Sequence, residues 1–294
     1  MGQIMEGDFK SLWWNVRTNT SGEVGISQKD YILPKLEKLN IRKEKGQYLH
    51  DRLTDEQASQ LRSKIGTLRW LADQTRPDVA INCLVLNTRQ LDPTWKDVKL
   101  FNATVDKVIR QPVEIIYRKL EPSKWFVTIF CDASHNSIND GFGSVAAFII
   151  FLSNGYVRGK RNRCCILAWR SNKIRRVCRS STDAETLTLS MALEEGDLIR
   201  DQILQMTGIS QDLLEMEVYC DAKNAMSICE ASTPTKSSIP IRNERQLIKQ
   251  FLDDGKVEEL KWVRGEEQLA NSLTKLGASE VDLLETLNKG KFFL

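Results

Sequence analysis

The chain has 294 residues, 41% of them hydrophobic and 28% charged, with a formal net charge of +3. That length allows two domains with separate cores, and so weak a charge balance names no partner. There are seven cysteines in no CxxC pair, two histidines, no charged-then-apolar N-terminal signal and no apolar run near the ~20 residues of a membrane span, which argues against a zinc centre and a membrane partner and for reduced, buried thiols in an intracellular protein.

Residues 1 to about 120 read as mostly helical after a short β start. In "WWNVRTNTSGEVGISQKDYI" the Ser21-Gly22 pair predicts the turn of a hairpin. Gln28 to Leu39 places Tyr31, Ile32, Leu36 and Leu39 near helical spacing, with Pro34 inside the first turns. The next helix is better marked. Thr54 predicts an N-cap with Gln57 at the capping-box position, ahead of a stripe of Leu61, Ile65, Leu68 and Leu71. Pro77 predicts the start of a helix through Leu86, and a further helix runs from about Pro93 to Arg110. Pro112 ends it, and "KLEPSK" marks a domain boundary, giving regions 1–120 and 121–294.

The second region changes character. Strands are expected near 124–132, 142–152 and 164–170, then a long helix from Thr182 to about Met206. Strand "MEVYCD", helices near 222–231 and 241–254, strand "VEELKWV" and terminal helices follow. Three antiparallel strands, a helix, then alternating strand and helix predict an α/β domain with a mixed sheet. Between Arg158 and Arg179, "RGKRNRCCILAWRSNKIRRVCR" carries no acid. A solvated face usually mixes signs, so this stretch is read as a phosphate-backbone footprint.

Three acids stand at element ends. Asp132 closes the apolar run that begins at Lys124, and Asp221 closes "VYCD". Burying an unpaired carboxylate costs several kcal/mol unless it is paired, neutralised or metal-bound. Strand carboxyl ends are also where open sheets bind ligands. Glu185 follows Thr182 by three residues, the spacing of a capping box, yet it shares a helix line with Leu189 and Leu193 and so points along the packed face. Asp183 is the plainer first-turn residue. Singly each acid has a structural reading; together they suit hard divalent cations acting on a phosphodiester.

These residues resemble the ribonuclease H domain of copia-type LTR-retrotransposon Pol polyproteins. The matching pieces are "CDAS", "AWRSNKIRRVCRSSTDAETLTL", "VYCDAKNAM" and "LKWVRGEEQLANSLTK". Upstream, "GEVGISQKDYILPKL" and "LTDEQASQLRSKIGTLRWLADQTRPDVA" resemble the tail of the same element's reverse transcriptase. The resemblance implies a ribonuclease H-like mixed sheet with flanking helices, preceded by a mostly helical reverse transcriptase tail. It implies two Mg²⁺ ions, with Asp132, Glu185 and Asp221 as metal ligands and catalytic residues. The family's fourth ligand is an aspartate where this chain has Asn271, which brings no charge and weakens the second metal site. Glu267, one turn earlier, is either a substitute ligand or an exposed charged helix position. The polymerase's YxDD pair is missing, and "FLDD" at 251–254 ends an amphipathic helix, so no DNA synthesis is expected from this polypeptide alone.

The expected activity is Mg²⁺-dependent cleavage of the RNA strand of RNA–DNA hybrids, with hybrid and other Pol parts as partners. The cytoplasm, a virus-like particle or the nucleus is the expected location. Arg170, Lys173, Arg175, Arg176 and Arg179 would track phosphates. Ser134, Ser181 and Asn224 border the acids and would touch the 2′-OH groups that distinguish RNA. Trp169 packs either near the nucleic acid or in the core. The alternatives are a catalytically weakened or inactive nucleic-acid-binding remnant, favoured by Asn271, and a nuclease of the same fold acting on DNA.

Overall fold

The structure, a computed structural model, describes residues 7–121, 124–138, 141, 143–230 and 239–292. The chain divides into two compact units, Met1–Ile116 and Tyr117–Leu294. Pro122 and Ser123 of the expected linker, Phe142 of the second expected strand and position 231 of an expected helix end lie outside the described residues.

In the first unit, β1 (Phe9–Ser11), β2 (Trp14–Thr18), β3 (Val24–Ser27) and β4 (Ile115–Tyr117) form one sheet in that order. The β2–β3 hairpin turns where the sequence predicts. Asn19 Oδ1 accepts the Ser21 and Glu23 N–H groups, and Gly22 takes φ 75°, a conformation that glycine adopts without strain. Helix α1 (Lys29–Lys35) is shorter than the periodicity suggests. Its continuation turns extended at Leu36. Beyond it, the Asn102 side chain pairs with both the N–H and the carbonyl of Leu39. Leu36 and Leu39 are still buried, from an extended segment.

Helix α2 (Asp55–Gln74) opens with both halves of the predicted capping box on Thr54 and Gln57. A 3₁₀ turn, Pro77–Val79, precedes α3 (Ala80–Thr88), and α4 (Trp95–Arg110) is capped by Thr94 with Asp97. The "RPD" element holds a buried ion pair: Arg76 Nε and Nη2 each donate to Asp78 at 2.8 Å. Burial alone would push the Asp78 carboxyl up, but Arg76 and Lys107 hold it below the usual carboxylate range. Leu61, Ile65, Leu68 and Leu71 pack with Phe101 and Val105 as the unit's core.

The second unit is built on a five-stranded sheet in the order β7-β6-β5-β8-β9. β5 (Trp125–Ile138), β6 (Gly143–Ser153) and β7 (Cys164–Lys173) are antiparallel neighbours, while β8 (Leu214–Cys220) and β9 (Val257–Trp262) run parallel to β5. This is the ribonuclease H-like arrangement that the resemblance implies. Helix α5 (Ser181–Thr207) lies on one face, where Leu189 and Leu193 meet Val127, Ile129, Cys131, Val218 and Cys220. Gly196 lets it approach closely: a Cβ there would stand 2.3 Å from Ile129 Cδ1. α6 (Lys223–Glu230) and α7 (Ile239–Asp253) complete that side. On the other face Phe130, Phe151, Tyr156, Tyr219 and Phe292 form an aromatic cluster. A 3₁₀ turn, Leu269–Leu273, and α8 (Val281–Lys289) follow β9.

Two local expectations change. β5 does not end on Asp132, because pairing with β6 continues through Asp132↔Ala147 to Ser134. Helix α5 begins one residue earlier than expected and its N-cap is Ser180, which accepts the Asp183 N–H. Thr182 is therefore inside the helix, and no Thr182–Glu185 capping box forms.

Candidate metal centre

The parallel β5–β8 ladder is paired from Trp125↔Leu214 to Phe130↔Tyr219. Two residues past the last pair come Asp132, still on β5, and Asp221, just beyond the end of β8, at the carboxyl end of the parallel pair. Alternation sends Cys131 and Cys220 to the α5 face, where both are buried. Glu185, released from capping, comes to the same end from the first turns of α5. The acids thus meet at the rim of the sheet from both sides.

Ligand atoms of Glu185, Cys220 and Asp221 lie within 4.8 Å of one another, the one such group among the described residues. Asp132 stands beside this group and is 1% exposed. Its Oδ2 accepts the Thr274 hydroxyl and lies 3.8 Å from Lys275 Nζ. Burial, with Asp221 nearby, pushes the Asp132 carboxyl up to about 6 despite Lys275 and Thr274. Glu185 is pushed up to about 10, by burial first and then by Cys220, Asp132 and Asp221. Burial also raises Asp221. Three carboxyls that resist ionisation together make a site whose charged form needs a cation, and this donor set fits a hard divalent ion such as Mg²⁺.

A buried amide holds the floor of the site. Gln268 Nε2 donates to the carbonyls of Cys131, at 3.0 Å, and Tyr219, at 3.4 Å, where the ladder runs out. Gln268 Oε1 accepts the Ala270 N–H, which fixes the turn carrying Asn271, Thr274 and Lys275. Asn271 Oδ1 accepts Lys275 Nζ at 2.8 Å. Sequence reading missed Gln268, Thr274 and Lys275; the only signal was their place inside "EEQLANSLTK". Glu267 is half-buried rather than an exposed helix position. It sits in a 3₁₀ turn, and its Oε1 binds Arg158 Nε at 2.6 Å.

The basic stretch is partly self-neutralised. Arg158, Arg163, Arg170 and Arg176 pair with Glu267, Glu121, Glu195 and Glu244. Lys173, Arg175 and Arg179 are exposed and, among the described residues, have no acidic side chain within ion-pair range. Ser181 and Asn224 are exposed at the starts of α5 and α6, Ser134 is buried on β5, and Trp169 is half-buried on β7. All seven cysteines are buried, and none of them is in a disulfide. Among the described residues no helix is long and apolar enough to cross a membrane.

No protein-family model matches the chain. Over 140 residues it is 29% identical to an uncharacterized mitochondrial protein of Arabidopsis thaliana, a match covering 47% of this chain and 52% of that protein. The chain therefore spans about half the length of this curated relative. Among solved structures it is similar to the N-terminal ribonuclease H domain of a Mycobacterium tuberculosis protein, at TM-score 0.36 and 14% identity, over 51% of this chain and 90% of that one. It is also similar to ribonuclease H1 of Halobacterium salinarum, at TM-score 0.33 and 16% identity, over 51% and 94%. A third is LC11 ribonuclease H1 in complex with an RNA/DNA hybrid, at TM-score 0.34 and 15% identity, over 51% and 94%.

Proposed function

We propose that the second unit hydrolyses the RNA strand of RNA–DNA hybrids with Mg²⁺, and that the first unit is a reverse transcriptase tail without polymerase chemistry. The observation that carries this reading is the meeting of Asp132, Glu185 and Asp221 at the carboxyl end of the parallel strands, each raised by burial. Together with the copia-type motifs, it supports a ribonuclease H-type hydrolase over a generic α/β domain. The three carboxyls are the residues that would hold the metal. Bound Mg²⁺ would supply an activated water and neutralise charge at the scissile phosphate. Gln268 and Thr274 keep Asp132 and the following turn in register. Lys173, Arg175 and Arg179 are free to meet phosphates, whereas Arg170 and Arg176 would first have to leave Glu195 and Glu244. Ser181 and Asn224, exposed at the starts of α5 and α6, would read 2′-OH groups.

A second reading, a binding module with weakened chemistry, is favoured by one observation: Asn271 offers an amide at the fourth-ligand position, and that amide is engaged by Lys275. The test is cleavage of labelled RNA–DNA hybrid, duplex RNA and duplex DNA in Mg²⁺. Cutting confined to the RNA of the hybrid is expected. Hybrid binding without cutting would move the module ahead, and cutting of duplex DNA would replace the substrate.

A further inference from the structure

Lys275 brings a positive charge to the acids at the rim. Its Nζ lies 3.8 Å from Asp132 Oδ2 and 2.8 Å from Asn271 Oδ1. It bridges the first expected metal ligand and the residue at the fourth position. The Thr274 hydroxyl binds the same Asp132 oxygen, so that oxygen already has two partners from one turn. Ligand atoms of Glu185, Cys220 and Asp221 lie within 4.8 Å of one another, and Lys275 has its ion pair with Asp132. The rim therefore sorts into Glu185 and Asp221, gathered to take a cation, and Asp132 Oδ2 with the Asn271 amide, already facing one.

Resting on the metal-dependent reading above, we propose that the Lys275 ammonium serves as a built-in monovalent cation in place of a second metal. The site then takes one divalent ion, held by Glu185, Asp221 and the remaining oxygen of Asp132. This arrangement explains an amide at position 271. A carbonyl oxygen suffices to orient an ammonium, whereas an aspartate there would add a charge that Lys275 alone would have to balance together with Asp132. The lysine side chain is 49% exposed, so it can withdraw without disturbing a core.

The test is Mn²⁺ binding to the full chain without nucleic acid, followed by electron paramagnetic resonance. Wild type should bind one ion. Lys275→Met removes a competing charge and should bind Mn²⁺ about tenfold or more tightly, as expected for loss of a like charge a few ångströms away. Lys275→Met combined with Asn271→Asp should bind two ions. Circular dichroism establishes that each variant is folded, and Lys275→Gln replaces Lys275→Met if the latter aggregates. Two ions on wild type, or unchanged or weaker binding to both Lys275 variants, would overturn the proposal while leaving a metal site in place. No binding to any variant would overturn the metal-dependent reading as well.

Discussion

Asp132 is buried with one carboxylate oxygen against Thr274 and Lys275, and burial pushes its carboxyl up to about 6. An acid whose folded pKa lies above its unfolded value binds a proton on folding. Its stabilising contribution is complete below the unfolded value, near 4, and is lost as pH rises through the folded value. Glu185 extends the same trend toward about 10. In EDTA the protein should therefore be less stable at pH 8 than at pH 5, and Asp132→Asn should recover about 1 kcal/mol of that loss, because its carboxyl titrates only about one pH unit above 5. Added Mg²⁺ should raise the wild-type melting temperature at pH 8. Melting temperatures that stay level from pH 5 to pH 8 in EDTA would contradict this electrostatic picture. Asp132 and Asp221 were legible in sequence because apolar runs lead into them, and Glu185 because it shares a helix line with Leu189 and Leu193. Lys275 and Thr274 were not, since the Thr274–Asp132 contact joins residues 142 apart and neither sits on a periodic apolar stripe.

At the scale of elements, local chemistry was legible where one segment supplies it. The Thr54–Gln57 capping box and the Asn19–Gly22 turn are fixed by residues within four positions of one another. Elements decided by distant partners were misjudged. Leu36 left α1 for an extended path whose next buried residue, Leu39, is held by Asn102, and β5 ran past Asp132 because β6 continues to pair with it. Two helical glycines give a contrast that tests the packing. Gly66 in α2 is exposed with open space around its Cβ position, so Gly66→Ala should stabilise by about 0.5–1 kcal/mol. At Gly196 a Cβ would meet Ile129 Cδ1 at 2.3 Å and Met216 Sδ at 3.0 Å. Gly196→Ala should therefore destabilise by about 1–3 kcal/mol, overpacking outweighing helix propensity. Chemical denaturation measures both, and a stabilised Gly196→Ala would show that α5 lies further from the sheet.

Taken as a whole molecule, the chain carries a net charge of +3, which predicts little about nucleic acid until the charges are placed. Four arginines of the basic stretch are paired with glutamates, while Lys173, Arg175 and Arg179 are exposed at the end of β7 and ahead of α5. That sorting was invisible in sequence, because every acid that does the pairing lies outside the stretch. Arg175→Glu with Arg179→Glu should weaken hybrid binding and reduce the log–log salt slope by about 0.7–0.9 for each lost phosphate contact. Arg176→Glu, which first frees Glu244, should confound that slope with a loss of stability. An unchanged slope in the Arg175/Arg179 variant would place the phosphates on another surface.

The most direct measurement is the single-turnover rate at which an RNA–DNA hybrid labelled on its RNA strand is cut in Mg²⁺, by wild type and by Asp132→Asn, Glu185→Gln and Asp221→Asn. Each substitution removes one charge from the same metal-binding rim, and their effects should not add. Each should lower the rate by at least about 100-fold, above the ~10–100-fold cost typical of losing an outer-shell partner of a metal, while hybrid binding persists. Cleavage by wild type that survives any one of the three substitutions within a few-fold would contradict the assignment of these acids as the catalytic centre.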